Sequence, residues 1–143
     1  MSDRHNICVA EEYVEALNAH DHERMRTYHG KSFRIQALGL TGPGDEVAYQ
    51  AYTEHNWTAF PDLTFETAQM VAQGDYVVQN WTSTVTHGGT LITASGEEVL
   101  ATGRRATTTG SSTMELRKGK IVLVDIYFNV PALLAEMKVV SGA

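Results

Sequence analysis

Only one cysteine, Cys8, stands among the 143 residues of this chain, so no intrachain disulfide can form. That usage suits a reducing compartment, and a cytoplasmic location is expected. Basic residues are also few: 11 Lys and Arg against 17 Asp and Glu leave a net charge of −6. Nucleic acids and anionic membranes call for a basic footprint, so neither is expected as a partner. No apolar run approaches the roughly 20 residues of a membrane span. The opening Met1-Ser2-Asp3-Arg4-His5-Asn6 lacks the apolar core of a signal peptide. Cofactor motifs are missing too. There is no Gly-x-Gly-x-x-Gly after a strand, no phosphate loop, no Gly-x-Ser-x-Gly and no Cys-x-x-Cys. The six histidines show no His-Glu-x-x-His spacing, and His20 and His22 read as part of a solvated turn. No cofactor and no metal are expected.

What is present fits one domain over residues 1–143. Hydrophobic residues make up 43% and charged residues 20%, enough to bury a core in a chain of this length. Ile7, Val9, Ala10, Tyr13, Val14 and Leu17 recur at helical spacing over residues 6–18. Cys8 is read onto the core side of that helix, as a small buried hydrophobe rather than a reactive thiol. Asp21 can cap a second short helix through Met25 and Tyr28. Phe33 to Leu38 reads as a strand, and Thr41-Gly42-Pro43-Gly44 is turn chemistry. A third helix runs from Asp45 to Phe60, carrying Val47, Ala48, Ala51, Tyr52 and His55.

From Leu63 the period changes to two. Strands are expected at Leu63 to Val71, Tyr76 to His87, Arg104 to Arg117 and Ile121 to Asn129. Gly74-Asp75 and Lys118-Gly119 supply the hairpin turns, and Gly88-Gly89 breaks the second strand. Threonines favour extended backbone in the third. Val130 to Val139 reads as a terminal helix, with Pro131 tolerated in its first turn. Helices followed by a meander of antiparallel strands give an α+β fold, a curved sheet with helices on one side.

Alternation sorts each strand into two faces. Val77, Gln79, Trp81, Ser83, Val85 and His87 share the more apolar face of their strand and should point inward. Gln79 is notable there, because a buried amide needs partners or a ligand. Thr108, Gly110, Ser112, Met114 and Leu116 form the inner face of the next strand, and the small Gly110 and Ser112 would leave room for a ligand. In the last strand Val122, Val124, Ile126 and Phe128 share one face, while Leu123, Asp125 and Tyr127 share the other. Asp125 then faces outward unless a local bulge turns it in. Inside a closed apolar cavity its carboxyl would have a raised pKa and could act as acid or base.

Four segments, in order, carry a family likeness: Phe60-Pro61-Asp62-Leu63-Thr64-Phe65, Gly74-Asp75-Tyr76-Val77-Val78, Thr86-His87-Gly88-Gly89, and Leu116 through the Lys118-Gly119 turn to Met137. Together they resemble the SnoaL-like polyketide cyclase family of the nuclear transport factor two-like superfamily. The resemblance implies a cone-shaped α+β barrel, its curved antiparallel sheet wrapped around N-terminal helices and a ligand cavity. It also implies ring closure by aldol chemistry without metal or cofactor, through an aspartate on the last strand and a histidine on the strand before. Aligned without gaps on Gly119-Lys120-Ile121, this chain carries Ile126 at the aspartate position and Ser112 at the histidine position. Asp125 lies one residue away, and Asn129 replaces an acidic residue common before the terminal helix.

Asp125 is therefore the candidate catalytic residue. Tyr13, Trp57, Gln79, Trp81, His87, Ser112, Met114, Ile126 and Phe128 are the candidate contacts for a small hydrophobic molecule. Three functions are open. One is a cofactor-independent cyclase or isomerase of secondary metabolism, as in antibiotic biosynthesis, acting through Asp125 or by shape, cycloaddition included. The others are an epoxide hydrolase of the limonene type, which needs an inward Asp-Arg-Asp set, and a noncatalytic carrier of a hydrophobic ligand. Relatives on this fold commonly pair through the outer sheet face. Tyr76, Val78, Thr107, Thr109 and Tyr127, with Asn80, Thr82 and Thr84, make a homodimer the expectation.

Overall fold

The computed structural model describes residues 2–37, 42–93 and 95–138. Helix α1 spans Asp3–Asn18, and the Ser2 side chain accepts a hydrogen bond from the His5 amide at its start. That cap begins the helix one turn earlier than its apolar stripe does. The stripe buries Val9, Ala10, Tyr13, Val14 and Ala16, with Asn6 at its head. Cys8 is exposed, against expectation. Two residues beyond Asn6 is roughly 200° around the helix, which turns Cys8 to the far side.

Helix α2 (His22–Arg26) is capped by Asp21, and helix α3 (Glu46–Ala59) by Asp45. Between them runs strand β1 (His29–Ala37), which starts four residues before the expected one. Its first residue pairs with the last strand of the sheet, His29 opposite Ile121. Leu38 and Thr41, read as strand end and turn, lie outside the described residues.

The remaining strands are β2 (Glu66–Gln73), β3 (Tyr76–Thr86), the short pair β4 (Leu91–Ile92) and β5 (Glu98–Val99), β6 (Arg105–Arg117) and β7 (Lys120–Phe128). The β4–β5 pair was not expected, and its two-residue strands are too short to show alternation. At the β6–β7 turn Lys118 and Gly119 have φ of 52° and 76°, the left-handed pair of a tight hairpin. Helix α4 (Val130–Glu136) follows directly, capped by Asn129 with Pro131 in its first turn. Val139, the expected end of that helix, lies outside the described residues.

The main sheet has the order β1-β7-β6-β3-β2. It is antiparallel except at β1, which runs parallel to β7. The expected α+β architecture is therefore present, with a curved sheet against the N-terminal helices. Two details differ. The sheet is open, with β1 and β2 as its edges, so the barrel does not close, and one edge is parallel.

Burial follows the expected faces along β3, where Val77, Gln79, Trp81, Ser83 and Val85 are buried and His87 follows them inward. At the start of β7 the register slips. Ile121 pairs with Leu116 and Leu123 with Glu115, leaving Val122 as an extra residue. Ile121, not Val122, therefore enters the core. One apolar cluster packs α1 on the sheet through Val9, Tyr13, Ile35, Met114 and Ile121. A second gathers Phe60, Val85, Ala106 and Leu134 under α4.

The space at Gly110 is not left for a ligand. A Cβ there would collide with the Trp81 indole and the Tyr127 carbonyl, because the indole lies across the bare backbone. Trp81 also donates from Nε1 to Ser112 Oγ at 3.0 Å. The two small residues of β6 therefore seat Trp81. We expect Gly110→Ala to cost about 1–3 kcal/mol by overpacking, measured by urea denaturation, with red-shifted tryptophan emission as the indole is pushed out.

Candidate functional site

A cavity opens between the concave face of the sheet and helix α3, and its wall draws on both apolar clusters. Helix α3 supplies Tyr49, Tyr52, Thr53, Asn56 and Trp57, with Phe60 just beyond its end. This is one helical stripe, at spacings of three and four. Reading that helix from Val47, Ala48 and Ala51 selected the wrong side. Val47 is 75% exposed. The sheet contributes Trp81, Ser83, Val85, Thr108, Ile126 and Phe128, and Leu17, Leu63, Phe65 and Leu133 complete the wall. No lining residue carries a formal charge.

The aromatic walls brace one another. Phe65 meets Trp81 edge-on with ring centroids 4.7 Å apart, and Phe128 approaches Trp81 at 6.1 Å. Trp57 stacks on His20 at 4.7 Å, and the Leu63 carbonyl holds that imidazole at 2.7 Å from Nε2. The cavity measures about 80 Å³. Small-molecule sites usually hold roughly 300–1,000 Å³. A ligand of polyketide size must therefore displace lining side chains, among which Trp57, Phe65 and Phe128 are large and half-buried.

The candidates from the sequence fall into three groups. Trp57, Trp81, Ile126 and Phe128 line the cavity. Ser112 sits behind Trp81 as its hydrogen-bond acceptor. The others are elsewhere. Gln79 donates to Thr67 Oγ1 at 3.0 Å, so its amide is partnered without a ligand. Met114 and Tyr13 belong to the core under α1. His87 is fully buried beside Phe60, with Thr102 Oγ1 at 3.0 Å from its Nδ1. Its Nε2 has no well-aligned partner. Burial holds the His87 pKa below the usual histidine value, with the carbonyls of Gly89 and Val99 opposing the shift.

Asp125 does not reach the cavity. It pairs with Thr113 and Gln36 in the sheet, on the opposite face from the lining residue Ile126. No bulge turns it inward, because the only slip between β6 and β7 lies at Glu115/Leu116. Its Oδ2 instead accepts a hydrogen bond from the Tyr127 hydroxyl at 3.3 Å on the outer surface.

A buried polar chain lies behind the cavity wall, and the sequence reading missed it. Glu46 Oε2 meets His29 Nδ1 at 2.7 Å. His29 Nε2 meets the Tyr13 hydroxyl at 2.8 Å, and the Tyr13 and Tyr49 hydroxyls are 3.2 Å apart. His22 Nε2 and Arg26 Nε approach Glu46 at 3.5 and 4.0 Å. Burial, with His22 and Arg26 adding to it, drives the His29 pKa down to about 3. Burial also lowers His22, raises Glu46 against the pull of His22 and Arg26, and raises Tyr13, Tyr49 and Tyr52. Among the described residues no group of three His, Cys, Asp or Glu side chains could hold a metal ion. No described helix is long and apolar enough to cross a membrane.

A family model described as SnoaL-like domain matches residues 10–124. No curated protein matches the chain. Among solved structures, AclR from Streptomyces galilaeus, a candidate hydroxylase, superposes with a TM-score of 0.83 at 23% identity, covering 96% of this chain and 98% of its own. IdmH from Streptomyces antibioticus, a candidate polyketide cyclase, gives 0.78 at 23% identity over 94% of this chain and 99% of that one. A protein of ketosteroid isomerase-like fold from Catenulispora acidiphila, in complex with trimethylamine, gives 0.75 at 8% identity over 92% and 93% of the two chains. At such identities these likenesses establish the fold.

The depressed histidines set the acid limit of stability. Between about 3 and the ordinary histidine value the unfolded chain binds the proton that folded His29 refuses, so stability falls as pH falls through that window. His22 and His87 act with the same sign, and the raised Glu46 acts against them. We expect stability to drop between pH 6.5 and 5, by about 2 kcal/mol from His29 alone at roughly 1.4 kcal/mol per pH unit. Urea titrations across that range check this, and His29→Gln should flatten the slope.

Proposed function

This chain belongs to the SnoaL-like domain family, and on that premise we propose a cofactor-independent cyclase or isomerase that acts by shape on a polyketide-like hydrophobic molecule. The observation that carries this reading is the cavity itself. Trp57, Phe60, Phe65, Trp81, Ile126 and Phe128 wall it, and no lining residue is charged. Such a wall attracts an apolar chain and holds it folded, so that proximity lowers the barrier to ring closure. Asp125, on the outer face, is not the acid or base of this reaction. The name of IdmH as a candidate polyketide cyclase supports the substrate class. A place in secondary metabolism, including antibiotic biosynthesis, and a cytoplasmic location belong to the same proposal.

The limited volume favours one further reading, a carrier that closes tightly on a hydrophobic ligand without transforming it. The epoxide hydrolase reading loses ground, because its carboxylates and guanidinium have no counterpart among the lining residues.

The experiment is ligand binding followed by turnover. We expect N-phenyl-1-naphthylamine to bind with blue-shifted emission and to quench tryptophan fluorescence. Trp57→Ala should weaken it at least several-fold, while Asp125→Asn leaves it unchanged. Conversion of a linear polyene or polyketide analogue to a ring, retained in Asp125→Asn, supports shape catalysis. Binding without conversion of any such analogue supports the carrier.

The outer face fits a homodimer contact, with Tyr76 51% and Tyr127 54% exposed and the Thr84–Thr107 pair on the same face. A dimeric mass is expected in light scattering at micromolar concentration, and Tyr127→Lys should shift it toward monomer; a monomeric wild type sinks this assembly.

A further inference from the structure

We propose that Glu46, His29, Tyr13 and Tyr49 form a proton relay, leading from the partly exposed end of α3 to the cavity wall, where Tyr49 serves an oxygen of the bound ligand. The chain is continuous: 2.7 Å from Glu46 Oε2 to His29 Nδ1, 2.8 Å from His29 Nε2 to the Tyr13 hydroxyl, and 3.2 Å from Tyr13 to Tyr49. It runs from outside to inside. The Glu46 side chain is 33% exposed, that of His29 only 2%, and Tyr49 lines the cavity. The four residues come from α1, β1 and α3.

Every link both donates and accepts, so the chain has two proton arrangements. In the first, Glu46 is a carboxylate and accepts from His29 Nδ1–H. His29 Nε2 then accepts from Tyr13, and the Tyr13–Tyr49 hydrogen bond runs opposite to its sense in the structure, where Tyr13 donates, so that Tyr13 accepts from Tyr49. In the second, Glu46 has taken one proton from solvent and gives it to Nδ1 as a hydrogen bond. His29 now carries its proton on Nε2 and donates to Tyr13, Tyr13 donates to Tyr49, and the Tyr49 O–H is released toward the cavity. The second arrangement holds one proton more than the first.

Delivery returns the chain to the first arrangement. The Tyr49 O–H bond breaks as its proton forms a bond to a ligand oxygen. The Tyr13 proton moves to Tyr49, the Nε2 proton to Tyr13, and the Glu46 proton to Nδ1. Each residue ends neutral except Glu46, which becomes a carboxylate. Neither arrangement places a net charge on His29 or on the phenols, which their burial would penalise. Burial leaves His29 a poor base and Glu46 a readily protonated acid, which suits a chain that takes its proton at Glu46. Among the described residues, the charged and titratable groups facing this chain are His22 and Arg26 from α2, Tyr28 just before β1, and Asp45, Tyr52 and Glu54 on or beside α3.

This relay rests on the reading of the cavity as a ligand site, and adds acid chemistry to it. It is tested first without ligand, in the full chain labelled with ¹⁵N-histidine. On acidification the NMR signals of His29 should change from the Nδ1–H to the Nε2–H tautomer while the ring stays neutral. Glu46→Gln and Tyr13→Phe should each abolish this exchange, whereas Glu54→Gln should preserve it. A second proton on His29 over the same range, or one unchanging tautomer in the wild type, overturns the relay. Its inner end is tested with carbonyl-¹³C acetophenone. We expect its carbonyl signal to move downfield on binding, and that shift to vanish in Tyr49→Phe although binding persists. A shift untouched by Tyr49→Phe overturns delivery and leaves the cavity reading intact. No binding of either acetophenone or N-phenyl-1-naphthylamine removes the cavity reading and the delivery step with it.

Discussion

The seating of Trp81 across Gly110 is the contact on which the rest of this architecture depends. Residues 81 and 110 are direct cross-strand partners in β3 and β6. A side chain at either ordinary position would keep the other away. Because Gly110 has none, the indole lies flat on the neighbouring strand and its N–H reaches Ser112. The polar atom of the largest cavity residue is thereby satisfied, and its apolar body becomes wall. Phe65 and Phe128 then pack on that wall.

From this follows a segregation of apolar from ionisable groups. The concave side of the sheet presents aromatic and aliphatic surface to the cavity, and no formally charged side chain lines it. Asp125, the carboxylate adjoining the lining residue Ile126, is sent to the outer face by strand alternation alone. The titratable groups Glu46, His29, Tyr13 and Tyr49 form one hydrogen-bonded chain that meets the cavity only at Tyr49, and they satisfy one another. Partnering makes their burial tolerable, since an isolated buried charge would not be. The proposed catalysis by shape and the proposed proton relay are complementary uses of this division. In that proposal the apolar wall folds a substrate, and the relay adds acid at one point without wetting the rest.

Much of this was legible in the chain. The two faces of β3 could be read from alternation, because an eleven-residue strand samples its period many times. Trp81, Ile126 and Phe128 could be placed in the wall for the same reason, and Trp57 on α3 as a large apolar side chain. The errors have local causes. Cys8 was misplaced because a short helical stripe fixes its centre poorly, and one starting at Asn6 instead of Ile7 turns Cys8 outward. The α3 stripe was legible only in Tyr52, Trp57 and Phe60, because Tyr49, Thr53 and Asn56 carry polar atoms although their spacing is helical. Val122 and Ile121 exchanged roles through a one-residue bulge, which no alternation pattern announces.

The order of elements, the turns at Gly74 and Lys118-Gly119, the inward face of β3 and the outward face of Asp125 were all legible in the chain. These depend on residues close along the chain, through backbone period, capping and φ preference. That β1 lies parallel beside β7, that Gly110 and Ser112 serve Trp81 and not a ligand, and that Glu46, His29, Tyr13 and Tyr49 meet came from the packing of the whole chain. Those outcomes join residues that are 16 to 36 positions apart or more. Their distances are set by how helices settle on a curved sheet, and no short-range pattern carries that information.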